Sequence, residues 1–435
     1  YIDSVIDRAK AEGRKAICFV TGVPGSGKTL AGLSIANTRM KADQDEHAVF
    51  LSGNGPLVDV LREALALDEV ARARELGQPL SKSFAKRHAA TFIQNIHHFR
   101  DQYLNGEVPL ERVVVFDEAQ RAWTKEQASK FMREKRDQVD FNQSEPAFLL
   151  SVMDRHPGWC VVVCLIGGGQ EINTGEAGLG EWLRALHVGY DRWEVHLSDR
   201  LTTGDYLADG DTLPTTQKHW FKSDALHLAV SVRSFRAEAV SDFVAAVING
   251  DEERGRGVLQ CLRDYPIVLT RDLESVRSWL RRQARGTERI GLVASSNALR
   301  LKPVGIHVRA GIDPAAWFLK PADDVRSSFS LEDVGTEFDV QGLELDWTGV
   351  CWDANLRYMG GRWQHWNFRG SRWEHIGDPI RRAYLENAYR VLMTRARQGM
   401  VLFVPQGSPL DKTRDPRFYD GTFDFLRRCG LPVLG

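Results

Sequence analysis

Short apolar runs alternate with longer, mixed stretches along the first half of the chain. The runs have the length of β-strands and the stretches between them the length of α-helices, which is typical of a parallel sheet whose strands are joined by helices. Strands are predicted at residues 16–20, 48–52, 113–116, 160–166 and 193–197. This half therefore predicts one α/β lobe, over residues 1–201.

The same alternation returns in the second half, after a polar segment that contains Gly204, Gly210 and Pro214. Such a segment is typical of a linker, and we place it at residues 202–225. Beyond it, strands are predicted at 226–230, 267–270, 290–294, 347–351 and 400–404, and helices at 237–248, 273–284 and 381–394. The predicted fold class is α/β, with a second lobe over residues 226–435 and a parallel sheet in each lobe.

Two segments of the first lobe fit this alternation less well. Residues 57–103 have a mostly helical and polar pattern, whereas residues 125–142 are rich in charge and poor in apolar side chains. A segment of the second kind predicts a solvated helix or a mobile loop.

Candidate chemistry begins where the first strand ends. Residues 22–29 follow the pattern Gly-x-x-x-x-Gly-Lys-Thr, which is the phosphate-binding loop in its proper place between a strand and a helix. The glycines allow backbone N–H groups to point inward, the lysine supplies a charge for the β- and γ-phosphates, and the threonine hydroxyl is a ligand for Mg²⁺. The predicted nucleotide-binding residues are Gly22, Val23, Pro24, Gly25, Ser26, Gly27, Lys28 and Thr29.

The apolar run at 113–116 ends in Asp117 and Glu118. In proteins with this loop, an Asp at the tip of a neighbouring strand binds Mg²⁺, and a carboxylate beside it can orient and deprotonate the attacking water. We predict that Thr29 and Asp117 bind the metal and that Glu118 is catalytic. A kinase does not need the second acid, so the pair favours ATP hydrolysis over transfer of the phosphoryl group to another substrate. The alternative for these two residues is a solvated acidic pair at a strand end.

Composition agrees with a soluble cytoplasmic enzyme. The 435 residues are 43% hydrophobic and 26% charged, which are ordinary globular values. No apolar run reaches the roughly 18 residues of a membrane span, and the six cysteines form no C-x-x-C pair. Because the chain begins with Tyr1 and not with Met, we expect it to be a fragment or a processed product.

The net charge of −1 does not indicate a nucleic-acid binder, but its distribution is uneven. Residues 351–400 contain nine Arg against four Asp or Glu, interleaved with Trp, Tyr and Phe, and glycine pairs predict a β-meander at about 352–376. Arginine for phosphates and aromatic faces for bases suit a single strand. The same residues can instead be cross-strand pairs over a small core. Trp363 and Arg369 are the candidates for nucleic-acid contact.

An ordered series of motifs runs along the chain, at residues 22–29, 117–120, 165–170, 232–234, 341–344 and 389–397. This series resembles that of the superfamily 1 helicases, and within them the Schlafen-type DNA/RNA helicase domain of bacterial proteins. The resemblance covers roughly residues 16–405 and implies two RecA-like lobes with a nucleotide cleft between them. It also implies an ATP hydrolase of the helicase or translocase type.

The resemblance implies roles for several residues of the first lobe. Ser52 and Asn54 fall where the family touches the nucleic-acid backbone. Gln120 or Gln170 is expected to sense the γ-phosphate. Gln170 matches the last position of the family's Gly-Asp-x-x-Gln, but the Asp of that motif is missing here.

In the second lobe the resemblance implies that Arg233 reaches the γ-phosphate and that Arg395 is an arginine finger. Gln341, Gly342 and Glu344 match the motif that couples nucleotide to strand. An arginine donated to a phosphate held by the other lobe stabilises transition-state charge and makes hydrolysis depend on closure.

The sequence thus predicts an ATP- and Mg²⁺-dependent motor that engages single-stranded nucleic acid, with DNA favoured over RNA. Two alternatives remain: a nucleotide-dependent switch or scaffold without transport, and the ATPase module of a larger protein with an upstream nuclease or other domain. The glutamine that usually reads adenine upstream of the loop has no counterpart in residues 1–15, so base selectivity is open.

Overall fold

The computed structural model describes residues 1–22, 25–42, 46–167, 178–202, 219–229 and 234–434. The chain divides into two compact units, Tyr1–Val232 and Arg233–Gly435. No helix in these described ranges is long and apolar enough to cross a membrane.

The first unit alternates strands with helices from its first residues. Its strands are β1 (Lys15–Gly22), β2 (Ala48–Ser52), β3 (Ile93–Asn95), β4 (Val113–Asp117), β5 (Cys160–Leu165), β6 (Glu194–Ser198), β7 (Trp220–Ser223) and β8 (His227–Leu228). Its helices are α1 (Ile2–Glu12), α2 (Lys28–Ala42), α3 (Gly55–Glu75), α4 (Lys82–Phe92), α5 (Ile96–Gln102), α6 (Lys125–Arg136), α7 (Glu145–Met153) and α8 (Gly178–Gly189).

These strands form one parallel sheet in the order β3-β2-β4-β5-β1-β6-β7, and the short β8 pairs with the end of β1. β5 lies between β1, which leads into the phosphate loop, and β4, which ends in the acidic pair. Because all strands point the same way, their carboxyl ends share one edge of the sheet, and the predicted nucleotide-binding groups share it too.

Helices cover both faces of this sheet, and its residues divide between two cores. Ile17 and Phe19 of β1 belong to one core, whereas Ala16, Cys18 and Val20 belong to the other. A strand buried on both faces has no polar side to alternate with. This explains why β1 appears in the sequence as an unbroken apolar run.

The second unit has a parallel sheet of its own and a small antiparallel sheet. Its strands are β9 (Ile267–Thr270), β10 (Ile290–Ala294), β11 (Val334–Thr336), β12 (Leu345–Cys351), β13 (Leu356–Met359), β14 (Arg362–Arg369), β15 (Arg372–His375) and β16 (Ala396–Phe403). Its helices are α9 (Ser234–Ile248), α10 (Glu252–Leu259), α11 (Leu273–Gln283), α12 (Pro314–Leu319), α13 (Pro379–Met393) and α14 (Arg417–Arg428).

The parallel sheet of the second unit has the order β11-β10-β12-β16-β9, and the antiparallel sheet is β13-β14-β15. The mixed α/β fold with a parallel sheet in each half is therefore as predicted. The antiparallel sheet occupies the segment where the glycine pairs indicated a meander.

The structure differs from the sequence prediction at two places. The short strand β3 lies within the segment whose pattern is mostly helical, whereas the charge-rich segment begins with helix α6, one of the two outcomes predicted for it. The second difference concerns the predicted linker 202–225, of which residues 203–218 lie outside the described part of the chain. β7 and β8 instead extend the first sheet, so the unit boundary falls after residue 225. An edge strand buries only part of its side chains, and β7 therefore lacks the apolar run that marks an interior strand.

Candidate functional site

The phosphate loop joins the end of β1 to the start of α2. Gly25 and Gly27 have φ angles of +75° and +84°, in the left-handed region that side chains with a Cβ rarely adopt. At Gly22 the constraint is space, because a Cβ there would lie 2.8 Å from the Cβ of Leu228 in β8. The sequence thus places glycine where the backbone must curl and where β8 packs against it.

Two polar groups of this loop are arranged to meet a ligand. The Lys28 ammonium donates a hydrogen bond of 2.8 Å to the Gly22 carbonyl, so the side chain folds back over its own loop. The Ser26 hydroxyl is buried and has no hydrogen-bond partner among the described residues. A buried hydroxyl without a partner is costly, and phosphate oxygens would satisfy both it and the ammonium.

The loop is connected directly to the acidic pair. The Thr29 hydroxyl lies 3.3 Å from each carboxylate oxygen of Asp117, to which it donates. Asp117 is only 3% exposed. Burial, followed by repulsion from Glu118, raises the pKa of Asp117, while Thr29 and Lys28 act in the opposite direction.

This donor set fits a hard divalent cation. Hydroxyl and carboxylate oxygens are the ligands that Mg²⁺ prefers, and it commonly takes one or two from protein and the rest from phosphate and water. A cation would also relieve the repulsion that raises the pKa of Asp117. In the described ranges no group of three or more His, Cys, Asp or Glu residues could bind a metal by protein ligands alone.

Glu118 follows Asp117 in a conformation that is rare for a residue with a side chain, with φ 51° and ψ 46°. Strain of this kind persists only where the surroundings enforce it, and it often marks functional sites. Here the amide of Gln120 donates to the Glu118 carboxylate at 2.5 Å, and the amide oxygen of Gln120 accepts from the backbone N–H of Gly167 at 3.0 Å. Gln120 thus fixes Glu118 between the ends of β4 and β5.

Gly167 belongs to the motif at residues 165–170, but no role of its own was predicted for it from the sequence. A Cβ at this position would lie 2.9 Å from a carboxylate oxygen of Glu118 and 3.1 Å from the amide nitrogen of Gln120. A side chain at this position would require the Glu118 carboxylate and the Gln120 amide to shift from their contact with each other. The signal in the sequence was the run of three glycines at 167–169, of which the last two lie outside the described residues.

Trp182 of α8 was also missed. Its indole N–H donates to the carbonyl of Ala119 at 2.8 Å, in the turn that contains Glu118 and Gln120. The ring is fully buried and packs against Phe19 of β1 and Phe116 of β4. One side chain therefore braces both the strand that leads to the phosphate loop and the turn after the acidic pair, and nothing in its sequence surroundings indicates this.

A small polar network lies just before the phosphate loop. The Thr21 hydroxyl donates to the Ser198 hydroxyl at 2.7 Å and lies 2.9 Å from Nδ1 of His227. The three residues come from the ends of β1, β6 and β8. The last residues before the loop are thereby bonded to two neighbouring strands.

Ser52 and Asn54, predicted to touch nucleic acid, lie at the same edge of the sheet. Ser52 pairs in register with Asp117, and its hydroxyl accepts from the Asn54 backbone N–H at 3.2 Å. The Asn54 side chain caps α3 by accepting from the backbone N–H of Leu57. Both side chains thus shape the turn after β2, and their contact with nucleic acid stays a prediction.

In the second unit the structure brings two predicted motifs together at the amino end of its sheet. Residues 341–344 run into β12, and the backbone N–H of Leu345 donates to the carbonyl of Arg395, just before β16. Glu344 forms an ion pair with Arg397 at 3.4 Å. The segments that carry Glu344 and Arg395 are thus neighbours, although about 50 residues separate the two motifs.

Arg395 is buried against its own helix. Its Nε donates to the carbonyl of Val391 at 3.1 Å, and its Nη2 donates to the Thr394 hydroxyl at 3.3 Å. A cation at the carboxyl end of a helix is favourable, because the last carbonyls carry partial negative charge. To act as an arginine finger, the side chain would have to leave these partners.

A family model described as the Schlafen group 3, DNA/RNA helicase domain matches residues 15–406, most of the 435-residue chain. The chain belongs to this family. The resemblance inferred from the motifs is thereby confirmed, and so is a nucleic-acid motor of the helicase kind as the general class. No match is found among the curated proteins.

Solved helicase structures resemble this helicase domain at 10–12% identity. The Pyrococcus furiosus Hef helicase domain aligns over 94% of this chain and 95% of its own, with 12% identity and a TM-score of 0.28. Mss116p bound to ssRNA and AMP-PNP aligns over 92% and 68%, with 10% identity and a TM-score of 0.32. Candida albicans Pif1 helicase aligns over 98% of both chains, with 12% identity and a TM-score of 0.30. Similarity this low assigns no role to any residue.

The aromatic residues of the meander pack within this helicase domain. Trp363 stacks on Trp352 at 5.3 Å, meets Tyr358 and Phe425 edge to face, and donates its indole N–H to the carbonyl of Val247. Its ring faces are occupied by protein, as the cross-strand alternative had it, so the structure offers no support for base stacking at Trp363. The other candidate, Arg369, is exposed at the end of β14.

Four residues singled out from the sequence lie outside the described part of the helicase domain. They are Val23, Pro24, Gln170 and Arg233. Their roles stay predictions from the motifs.

Proposed function

We propose that this chain is an ATP-driven motor that hydrolyses ATP and moves along single-stranded nucleic acid. The observation that carries the proposal is the contact between Thr29 and Asp117, 3.3 Å apart, which joins the phosphate loop to the acidic pair. Beside it, Glu118 is fixed in a strained backbone conformation by Gln120. Family membership supports the motor class, and this geometry supports ATP hydrolysis as its energy source.

The proposed roles follow from position and chemistry. Lys28 would exchange its bond to the Gly22 carbonyl for the β- and γ-phosphates, and the Ser26 hydroxyl would gain a phosphate partner. Thr29 and Asp117 would bind Mg²⁺, which when bound neutralises charge on the phosphates. Glu118 would orient the attacking water and accept its proton.

Gln120 is the better placed of the two candidate glutamines for sensing the γ-phosphate. Its amide already contacts Glu118 and the backbone of Gly167, so a change at the phosphate would reach both strand ends. Gln170 lies outside the described residues and keeps its predicted role from the motif alone.

We assign the second unit the arginine contribution, with Arg233 and Arg395 as donors and Gln341, Gly342 and Glu344 as the coupling motif. The neighbouring positions of Arg395 and the coupling motif at one end of the sheet support this assignment. We also propose that the two motor lobes correspond to the two compact units.

We further propose that the protein works in a reducing cytoplasm, because its six cysteines are free thiols.

The test is the ATPase rate of the chain with and without single-stranded DNA, duplex DNA and single-stranded RNA, with Lys28→Ala as the blank. Strong stimulation by one polymer is expected and would identify the track. A rate that depends on Lys28 but ignores every polymer would overturn the motor and favour the nucleotide-dependent switch. If the ATPase rate responded to a polymer only after an upstream segment was added to the chain, the result would favour the ATPase module of a larger protein.

A further inference from the structure

The turn between β14 and β15, residues 369–372, forms a hairpin tip with an unusual charge pattern. Arg369 and Arg372 lie directly opposite each other in the antiparallel register, with side chains 62% and 80% exposed. Like charges directly opposite on paired strands are destabilising. Gly370, with φ +58°, allows the tight turn that brings them face to face. The fold therefore tolerates a repulsion that a neutral residue at either position would remove.

One carboxylate serves both arginines. Glu374 of β15 lies 3.8 Å from Nε of Arg369 and 3.1 Å from Nη2 of Arg372. In the described part of the chain it is the acidic residue within ion-pair distance of either guanidinium. The tip thus keeps a net positive charge that faces solvent.

The base of the hairpin is fixed to the second unit. Arg357 of β13 is 2% exposed and lies against the rings of Trp366, Trp373 and Phe418, with its guanidinium carbon 4.6, 4.8 and 4.0 Å from their centroids. The indole N–H of Trp373 also donates to the carbonyl of Thr413 at 2.8 Å. The tip is therefore held in place before any ligand arrives, which lowers the entropic cost of binding.

The same packing decides what kind of ligand suits the tip. The rings of Trp366 and Trp373 behind it each have Arg357 over one face, and both residues are half-buried, whereas the two guanidinium groups of the tip are exposed. Two forked guanidinium groups on a rigid turn suit phosphate oxygens. A duplex presents one phosphate charge per roughly 1.7 Å of its axis, which is denser than a single strand.

We propose that the hairpin tip binds the phosphate backbone of a nucleic-acid duplex, at a site separate from the single strand that the motor follows. The identity of the ligand rests on the proposed function. In this arrangement the tip contacts the double-stranded part of a substrate whose single strand is engaged elsewhere. Its contacts are with charge alone and are independent of base sequence.

The test compares the binding of a 20-base-pair duplex and of a single strand of the same length across a range of salt concentrations, without nucleotide. In the double variant Arg369→Gln/Arg372→Gln, we expect duplex affinity to fall about tenfold near 0.1 M salt. The slope of log affinity against log salt should become shallower by about 1.8, the value for two lost phosphate contacts. Single-strand affinity should change by less than about threefold.

The matched control is Arg281→Gln/Arg282→Gln, which removes the same charge from two exposed arginines at the end of α11. Duplex affinity equal to that of the control would overturn the proposal, and so would an equal loss for duplex and single strand. The variant Glu374→Gln guards against misfolding, because removal of the shared carboxylate should tighten duplex binding two- to threefold. If Glu374→Gln left duplex binding unchanged or weaker, the tip would not be the site.

The outcomes are distinct from those of the ATPase test. If Arg369→Gln/Arg372→Gln left duplex affinity unchanged in a chain whose ATPase responds to single strands, this inference alone would be overturned. A tip-dependent duplex affinity in a chain whose ATPase ignores all polymers would overturn the motor alone. Competition by an acidic protein but not by duplex would show that the tip binds a protein, contrary to the proposal.

Discussion

The carboxyl end of the first sheet, with the phosphate loop and the acidic pair, differs from the amino end of the second sheet, with Arg395, in how the polar groups are hydrogen-bonded. In the first unit, Thr29 contacts Asp117, and Gln120 links Glu118 to the backbone of Gly167. Groups from the start of α2, the end of β4 and the segment after β5 are thus bonded to one another. In the second unit, Arg395 bonds to the last turn of its own helix. The polar groups of the first unit are therefore already in contact with one another, whereas the Arg395 guanidinium is bonded within its own helix.

This difference teaches where control over catalysis would lie. A hydrogen bond from a charged group contributes about 1.5–3 kcal/mol, and Arg395 would lose its helix partners on moving toward a phosphate. We expect the first unit to bind ATP in nearly the geometry it already has. The arginine contribution would then be the step that depends on an additional ligand.

The largest effect is expected from Lys28→Ala, which removes the ammonium group from the phosphate loop of the first unit. ATP binding and turnover should fall to the background of the assay, because β- and γ-phosphate charge loses its direct partner. Equilibrium binding of a fluorescent ATP analogue and steady-state ATPase rates measure the two effects. If Lys28→Ala kept ATP affinity within threefold of the original chain, the loop would not be the binding site.

Arg395→Ala tests the other side of the comparison. We expect kcat to fall about 10³-fold with ATP affinity nearly intact, since an arginine finger stabilises charge that develops only in the transition state. The control is Arg397→Ala, two residues away, whose exposed guanidinium pairs with Glu344. Equal losses of rate and affinity in Arg395→Ala, or equal rate losses in the two variants, would refute the finger assignment.

A smaller effect should follow from Trp182→Phe, which keeps an aromatic ring but removes the hydrogen bond to Ala119. One lost bond of about 1 kcal/mol at the turn corresponds to a five- to tenfold lower kcat, with KM for ATP unchanged. The matched control is Trp193→Phe, which loses an indole bond to Asp154 just before β6 begins. A parallel change in both variants, or a change in KM alone, would mean that Trp182 only packs the core.

The last effect concerns stability at low pH and leaves catalysis aside. Burial, and then the nearby Arg100, lower the pKa of His97 from 6.5 to about 4, so His97 is neutral in its contacts with Trp123 and Phe131. Its distance of 3.7 Å to Glu145 is therefore not an ion pair at neutral pH. Between pH 6.5 and 4 the unfolded chain binds the proton more readily, so this residue's contribution is present above pH 6.5 and is lost as the pH falls toward 4.

The variant His97→Gln should therefore lose less stability on acidification than the original chain, by roughly 2 kcal/mol between pH 7 and 4. Urea unfolding of both chains at several pH values measures this difference. The comparison between chains is needed because burial raises the pKa of Glu145, which acts in the opposite direction. Parallel pH profiles would show that His97 is not buried as a neutral group.

The sequence was sufficient wherever a function depends on residues that are adjacent in the chain. The phosphate loop must follow a strand and precede a helix, and the acidic pair must end a strand, so local patterns place both. The same patterns predict strands β2, β4 and β5 closely. They fail for β3 and β7, which are short or at an edge and bury too few side chains to leave an apolar run.

The sequence by itself determined the parallel α/β fold, the loop, the acidic pair and the order of the helicase motifs, because each depends on neighbours in the chain. Only the tertiary structure decided that Trp182 supports the turn of Glu118, that Gly167 makes room for it, and that Arg369 faces Arg372. Those relations depend on packing between residues dozens of positions apart or on strand register. Residue type and spacing do not encode such relations in a form that local patterns reveal.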